Sequence, residues 1–289
     1  MDGGIFSGLE DMGLGNLQNV DIFKDNTKHP ESEQEKLKEA ETLQIHEEDM
    51  LFDKTYDCPV CNHKFKARTL RTGKARLLST DMDLRPKFEG IEPLKYDVVL
   101  CPKCGFTALT RYFVPMPAVQ RKMILEKITA NFRPQMESGE TFTYEEAINR
   151  YKLALANAVV KMGHASEKAY ICLRAGWLVR SYIEELLGEE QIDMQKVKHA
   201  EELQNEFLKK AYEGFVNARQ SEGFPMCGMD EPTVDYVLAN LAMRFGHYDV
   251  ASKMISSMMV SPSCNNRMKD RFRDLKDELV KQMKDSQNK

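Results

Sequence analysis

Two short stretches decide the fold: YDCPVCNHKF at residues 56–65 and YDVVLCPKCGF at residues 96–106. Each contains the pattern Cys-Pro-x-Cys, which separates two thiols by two residues across a tight turn. Two such turns supply four soft sulfur ligands, enough to complete the tetrahedral shell that zinc prefers. The sequence therefore predicts one metal ion bound by Cys58, Cys61, Cys101 and Cys104.

A shell filled by four thiolates leaves no position open for water, so the predicted site is structural and not catalytic. Zinc is the expected metal, although sulfur ligands alone do not distinguish zinc from iron. Redox-active thiol pairs are the competing interpretation, but such pairs usually accompany a βαβ pattern, which neither stretch shows. His63 is expected at the surface or beside the site. The isolated Cys172, Cys227 and Cys264 are expected to be small buried residues.

Composition and charge restrict the classes of protein. The 289 residues are 42% hydrophobic and 30% charged, with a net charge of −4. A packed core is expected, but a generic nucleic-acid binder is not, because polyanion binding usually requires a basic surface. The N-terminal sequence lacks the features of a signal peptide, and no stretch has the roughly 18 apolar residues of a membrane span. We expect a cytoplasmic protein, where thiols stay reduced.

Changes of pattern divide the chain into three predicted segments. Residues 1–51 form an acidic, weakly ordered arm, in which carboxylates greatly outnumber lysines. Residues 52–114 form the metal-binding, zinc-ribbon-like unit. Residues 115–289 change to helical periodicity. The fold class is therefore α+β, mainly α, with a small β unit followed by an antiparallel helical domain.

Two β elements are predicted within the metal-binding unit. Tyr96–Leu100 is short, apolar and rich in β-branched residues, which indicates a strand. Lys64–Leu78 alternates in part and has turn residues at Thr72 and Gly73, which predicts a hairpin.

The helical segment shows signs of tetratricopeptide-like repeats. Gly246, Tyr248 and Ala251 fit the turn and second helix of such a repeat, since glycine permits the tight turn and alanine a close helix approach. Thr143 and Glu146 form a capping box ahead of another helix. An ordinary helical bundle is the alternative. Stacked helix pairs generally bind peptides or protein segments.

A basic stretch without carboxylates runs from residue 62 to residue 79. It is either a solvated strand face that partly offsets the thiolate charge, a contact for the acidic arm or an acidic protein, or a contact for nucleic acid. Few aromatic residues are present for base stacking. The candidate polyanion or acidic-partner contacts are Lys64, Lys66, Arg68, Arg71, Lys74 and Arg76.

The two cysteine stretches, the intervening DMD at residues 81–83 and the FEGIEPLK at residues 88–95 resemble a bacterial family of uncharacterised proteins, domain of unknown function family 2225. The resemblance covers roughly Phe52 to the C terminus, and the cysteine segments are its most specific part. It implies a bacterial cytosolic protein with the four cysteines as metal ligands. It implies no reaction, and the acidic arm falls outside it.

Three functional hypotheses follow. The first is a metal-stabilised, non-enzymatic interaction protein whose helical domain binds a protein partner. The alternative is a nucleic-acid- or ribosome-associated zinc-ribbon protein. An enzyme is the third, and it has the least support, because the common nucleotide-binding, metalloprotease and serine-hydrolase motifs are absent from the sequence.

Overall fold

The computed structural model describes residues 46–134 and 139–287. Residues 1–45 of the predicted acidic arm, which spans residues 1–51, therefore lie outside the described residues. Its last residues form a 3₁₀ turn, Glu47–Met50, and Leu51, assigned to the arm, is the first residue of the first strand. Met50 and Leu51 are buried, so the chain is already packed at this point.

The strands of the described chain form three two-stranded antiparallel sheets. Each cysteine pair lies in the turn of one sheet, so hairpins carry both pairs of predicted ligands. The first sheet pairs β1 (Leu51–Asp57) with β2 (Lys64–Leu70), the second pairs β3 (Leu77–Thr80) with β4 (Pro86–Phe88), and the third pairs β5 (Val98–Leu100) with β6 (Thr107–Leu109).

The hairpin predicted at Lys64–Leu78 is wrong. The turn around Gly73 exists, with φ of 78°, but β2 pairs with β1 across the first cysteine turn, and β3 pairs with β4. The sequence LFDKTYD of β1 hides this pairing, because most of its side chains are exposed and do not alternate. The strand predicted at Tyr96–Leu100 forms only at Val98–Leu100, because a 3₁₀ turn occupies Pro93–Tyr96.

Helices make up most of the remaining described chain, which confirms the mainly helical α+β class. A π-helical turn, Leu125–Thr129, continues the first helix. The helices are α1 (Ala118–Ile124), α2 (Tyr144–Val160), α3 (Ala165–Gly188), α4 (Met194–Ser221), α5 (Glu231–Arg244), α6 (Tyr248–Val260) and α7 (Asn266–Gln287).

Two predicted local features of the helices are confirmed. At the start of α2, Thr143 Oγ1 accepts from the amide of Glu146 at 3.1 Å, and the Glu146 carboxylate accepts from the amide of Thr143 at 2.8 Å. Gly246, with φ of 76°, lies in the turn between α5 and α6. That helix pair, with 14 and 13 residues, has the dimensions of a tetratricopeptide repeat. Helices α3 and α4, with 24 and 28 residues, are much longer.

Consecutive helices pack on one another, as short connections require. One apolar core joins α2, α3, α4 and α5, and includes Tyr151, Leu173 and Phe215. A second core joins α5, α6 and α7 around Phe272 and Leu275. No described helix combines the length and the apolar character that crossing a membrane requires.

Candidate metal centre

The two cysteine turns have the same backbone geometry. In the first, the amide of Asn62 donates to the carbonyl of Cys58 at 2.9 Å, and in the second the amide of Gly105 donates to the carbonyl of Cys101 at 3.0 Å. Asn62 and Gly105 both have left-handed backbone conformations, with φ of 57° and 73°. Each of these residues follows the second cysteine of its pair, and its positive φ lets the chain turn back into the next strand.

The four predicted ligands meet at one point. Their sulfur atoms all lie within 4.8 Å of one another. The Sγ atoms of Cys58 and Cys104 are 3.6 Å apart, as are those of Cys61 and Cys101. A disulfide would need about 2.05 Å, whereas zinc bound tetrahedrally at about 2.3 Å would hold its sulfurs about 3.8 Å apart. The distances therefore suit a shared metal ion and not a disulfide.

Three of the four thiols, those of Cys58, Cys101 and Cys104, shift one another's pKa. Hydrogen bonds from Cys104 and Cys58 lower the pKa of Cys101. Their hydrogen bonds to Cys101 raise the pKa of both partners, so the thiols compete to ionise. A divalent ion removes this competition, because each sulfur can then bind it as a thiolate.

Three hydrogen bonds attach the cysteine turns to helical segments. Arg121 Nε on α1 donates to the carbonyl of Val60 at 2.6 Å. Thr129 Oγ1 in the π-helical turn donates to the carbonyl of Cys104 at 2.8 Å, and the buried Asn157 on α2 donates to that of Gly105 at 3.2 Å. A side chain donating to a ligand turn fixes the orientation of the ligand. No local sequence pattern marks these donors, because each lies at least 25 residues from its acceptor.

The other candidate ligands do not join the four sulfurs. His63 is half-buried, and its ring stacks on Phe65 with centroids 6.3 Å apart. Cys172 and Cys264 are buried, as expected, while Cys227 is half-buried and donates to a backbone carbonyl. Within residues 46–134 and 139–287, no other group of three or more His, Cys, Asp or Glu side chains has a metal-binding arrangement.

Replacement of Gly105 by alanine is expected to destabilise the second turn. A methyl group there would lie 2.9 Å from Phe132 Cβ and nearer still to two ring atoms, and φ is 73°. Strain and overlap together predict a loss of about 2–4 kcal/mol, measurable by chemical denaturation. The matched control is Asn62→Gly in the first turn, which should change stability by less than about 0.5 kcal/mol. Equal denaturation midpoints for both variants would show that an alanine at residue 105 causes neither strain nor overlap.

Four of the six basic residues predicted as contacts donate to an acceptor within the described chain. Lys66 and Lys74 are exposed, and no ion pair in the described chain includes either one. The stretch therefore presents fewer unpaired cations than its sequence indicates. The four contacts are Lys64 with Asp57, Arg68 with the carbonyl of Gly139, Arg71 with the carbonyl of Leu51, and Arg76 with Glu89.

An ion-pair network around the buried Arg85, which no local sequence pattern marks, joins the β3–β4 loop to α3. The Arg85 side chain is only 1% exposed. It donates to Asp81 at 2.7 Å, to Ser181 Oγ at 3.0 Å and to Glu184 at 2.5 Å. These bonds fix the loop on the helix.

Asp83 in the same loop binds a second pair of residues on α3. Its carboxylate accepts from Arg180 at 2.5 and 3.0 Å, and from Trp177 Nε1 at 3.0 Å. Asp81 and Asp83 are the two acids of the DMD motif, so the motif has a structural role in this chain.

One protein family and one relative are similar to this chain. The model of a family described as "Uncharacterized protein conserved in bacteria (DUF2225)" matches residues 51–279, from β1 into α7. An uncharacterized protein of Borreliella burgdorferi is 28% identical over 113 residues, which are 34% of this chain and 40% of that relative. The aligned part thus spans less than half of the relative's length. No solved structure matches the chain. The family match covers most of the sequence and includes all four cysteines, so the chain belongs to the DUF2225 family.

Proposed function

We propose that the four cysteines bind one zinc ion in a structural role. The meeting of four sulfurs supports this proposal, because the ligand shell is complete without water or substrate. Zinc suits such a site because it prefers four tetrahedral ligands and has no redox chemistry. Metal analysis of the purified full-length protein should give one zinc per chain, and iron in its place would overturn the assignment of zinc.

The protein as a whole is, in this proposal, a non-enzymatic interaction protein that binds a protein partner through its helices. One observation carries it: the turn between α3 and α4 exposes large apolar side chains. Leu187 is 48% exposed and Met194 is 63% exposed, with Ile192 between them in sequence. Exposed apolar surface marks interaction sites, and these three residues lie within one short stretch of the chain.

Charge around this turn indicates the chemistry of the partner. Glu189, Glu190 and Asp193 are exposed between the apolar residues. An apolar surface flanked by carboxylates is complementary to a protein segment that carries apolar and basic side chains. The carboxylates at this turn would repel nucleic acid. The basic stretch at residues 62–79 offers nucleic acid few cations that lack a contact in the described chain.

Crosslinking from the full-length, metal-loaded protein tests the proposal. A photo-crosslinking residue at Met194 in the native cell is expected to capture one protein, which then binds the purified chain. Met194→Glu should weaken that binding about tenfold or more, because a charge would be buried in the interface. The control is Leu78→Glu on β3, which is exposed but distant in sequence. Equal binding by both variants, or capture of nucleic acid alone, would overturn the proposal.

A further inference from the structure

A cleft of about 600 Å³ opens beside the second cysteine turn. Its walls come from β2, the cysteine turn, the π-helical turn with the residues that follow it, and α2. A volume of this size is typical of sites that bind small organic molecules. The apolar residues in its lining are Ala67, Leu100, Pro102, Ile128, Phe132 and Leu153.

The charged lining of the cleft is strongly positive. The described residues of the lining include four cations and one carboxylate, Glu146, although the whole chain has a net charge of −4. Lys66, Lys127 and Arg133 are exposed, and no ion pair of the described chain includes them. The fourth cation, Arg150, lies with its guanidinium 4.0 Å from the centre of the Phe142 ring. Exposed cations around a shared cavity attract an anion.

The π-helical turn connects this cleft to the metal centre. Thr129 at its end donates to the carbonyl of Cys104, while Lys127 and Ile128 line the cleft. Pro102, between two of the ligands, lines it as well. π-helical turns occur frequently at functional sites, because the extra residue changes the direction of side chains. The metal centre therefore holds one wall of the cleft in place.

We propose that the cleft binds a small organic anion, a molecule with an apolar or aromatic part and a phosphate or carboxylate group. Lysine and arginine bind both groups through charge-assisted hydrogen bonds. The apolar lining provides a place for the remainder of the molecule. A polymer is a poorer fit, because the exposed cations Lys66, Lys127 and Arg133 surround one cavity and do not form an extended stripe. This site is separate from the α3–α4 turn and does not depend on the protein-binding proposal.

Ligand-observed NMR on the full-length, metal-loaded protein tests the proposal with three probes. Phenyl phosphate and benzoate carry the two anionic groups on the same ring, and benzyl alcohol is the neutral control. We expect at least one anion to bind about tenfold or more tightly than the alcohol, because only an anion forms charge-assisted hydrogen bonds. Whichever anion binds more tightly assigns the preferred group. Equal binding of all three probes would overturn the proposal.

Two charge reversals locate the binding site. Lys127→Glu should weaken anion binding about tenfold or more, whereas Lys74→Glu, in the basic stretch but outside the cleft, should leave it unchanged. Zinc content and the denaturation midpoint show that both variants are folded. Equal losses in the two variants would mean diffuse attraction to the basic stretch, and no loss in either would place the anion elsewhere. Both results contradict the proposal.

Discussion

Removal of the metal is expected to unfold the sheets that carry the cysteine turns. These sheets have two strands each, and their shared core is built on the cysteines themselves, with Phe65, Phe106 and Ile124. Structural zinc sites of this kind contribute roughly 10 kcal/mol or more to folding, comparable with the 5–15 kcal/mol total stability of typical proteins. Chelation should therefore expose residues 51–70 and 98–109 to rapid amide hydrogen exchange, while α3 and α4 keep their protection.

A substitution at one ligand should have the same effect as chelation. Cys101→Ser removes one of the four sulfurs and is expected to abolish stoichiometric metal binding. The control is Cys227→Ser, since Cys227 is half-buried and lies outside the four-sulfur cluster. It should retain one metal ion per chain. Unchanged exchange protection of residues 51–70 after complete chelation would show that the metal does not stabilise these sheets.

The sequence was sufficient to predict the cysteine cluster because its geometry is largely local. Cys-Pro-x-Cys followed by a residue with positive φ forms a turn that presents both sulfurs on one side, and only the meeting of the two turns is a tertiary event. Gly105 is the residue type that favours such a conformation, and asparagine, as at Asn62, also tolerates it. The family resemblance rested on these same segments.

The remaining parts of the site depend on contacts between distant residues. The Asn157 side chain supports the second turn from 52 residues away, and Arg85 meets Ser181 across 96 residues. In the sequence, Asn157 looks like an ordinary polar residue of a helix, and Arg85 looks like a charged residue of a loop. No local pattern distinguishes them, because their burial arises only when the loop and helices pack. The anion-binding cleft is hidden for the same reason, since its walls come from four separate segments.

Replacement of Arg85 by alanine is expected to produce the largest loss of stability outside the metal centre. Arg85 is almost fully buried, and the substitution removes its hydrogen bonds to Asp81, Ser181 and Glu184 together. It also leaves a cavity between the loop and α3. Breaking a fully buried ion pair on one side costs about 3–5 kcal/mol. Because the Asp81 and Glu184 side chains keep 25% and 47% exposure, we expect a loss near the lower end of that range, which chemical denaturation of the metal-loaded protein would measure. Arg76→Ala is the matched control in the same hairpin, because its side chain is 78% exposed and its ion pair contributes at most about 1 kcal/mol.

The effect of Arg85→Ala should depend on pH with a definite sign. Burial raises the pKa of Asp81, but the hydrogen bond and charge of Arg85, together with the charge of Lys87 and the hydrogen bond from Arg180, outweigh it, so the pKa is lowered from 3.8. A carboxyl group with a lowered pKa stabilises the folded state above its unfolded pKa, and this contribution is lost as pH falls through the folded value. The stability difference between wild type and Arg85→Ala should therefore be constant near neutral pH and decrease below about pH 3.8. A difference that grows in acid would show that the Asp81–Arg85 pair does not stabilise the fold in this way.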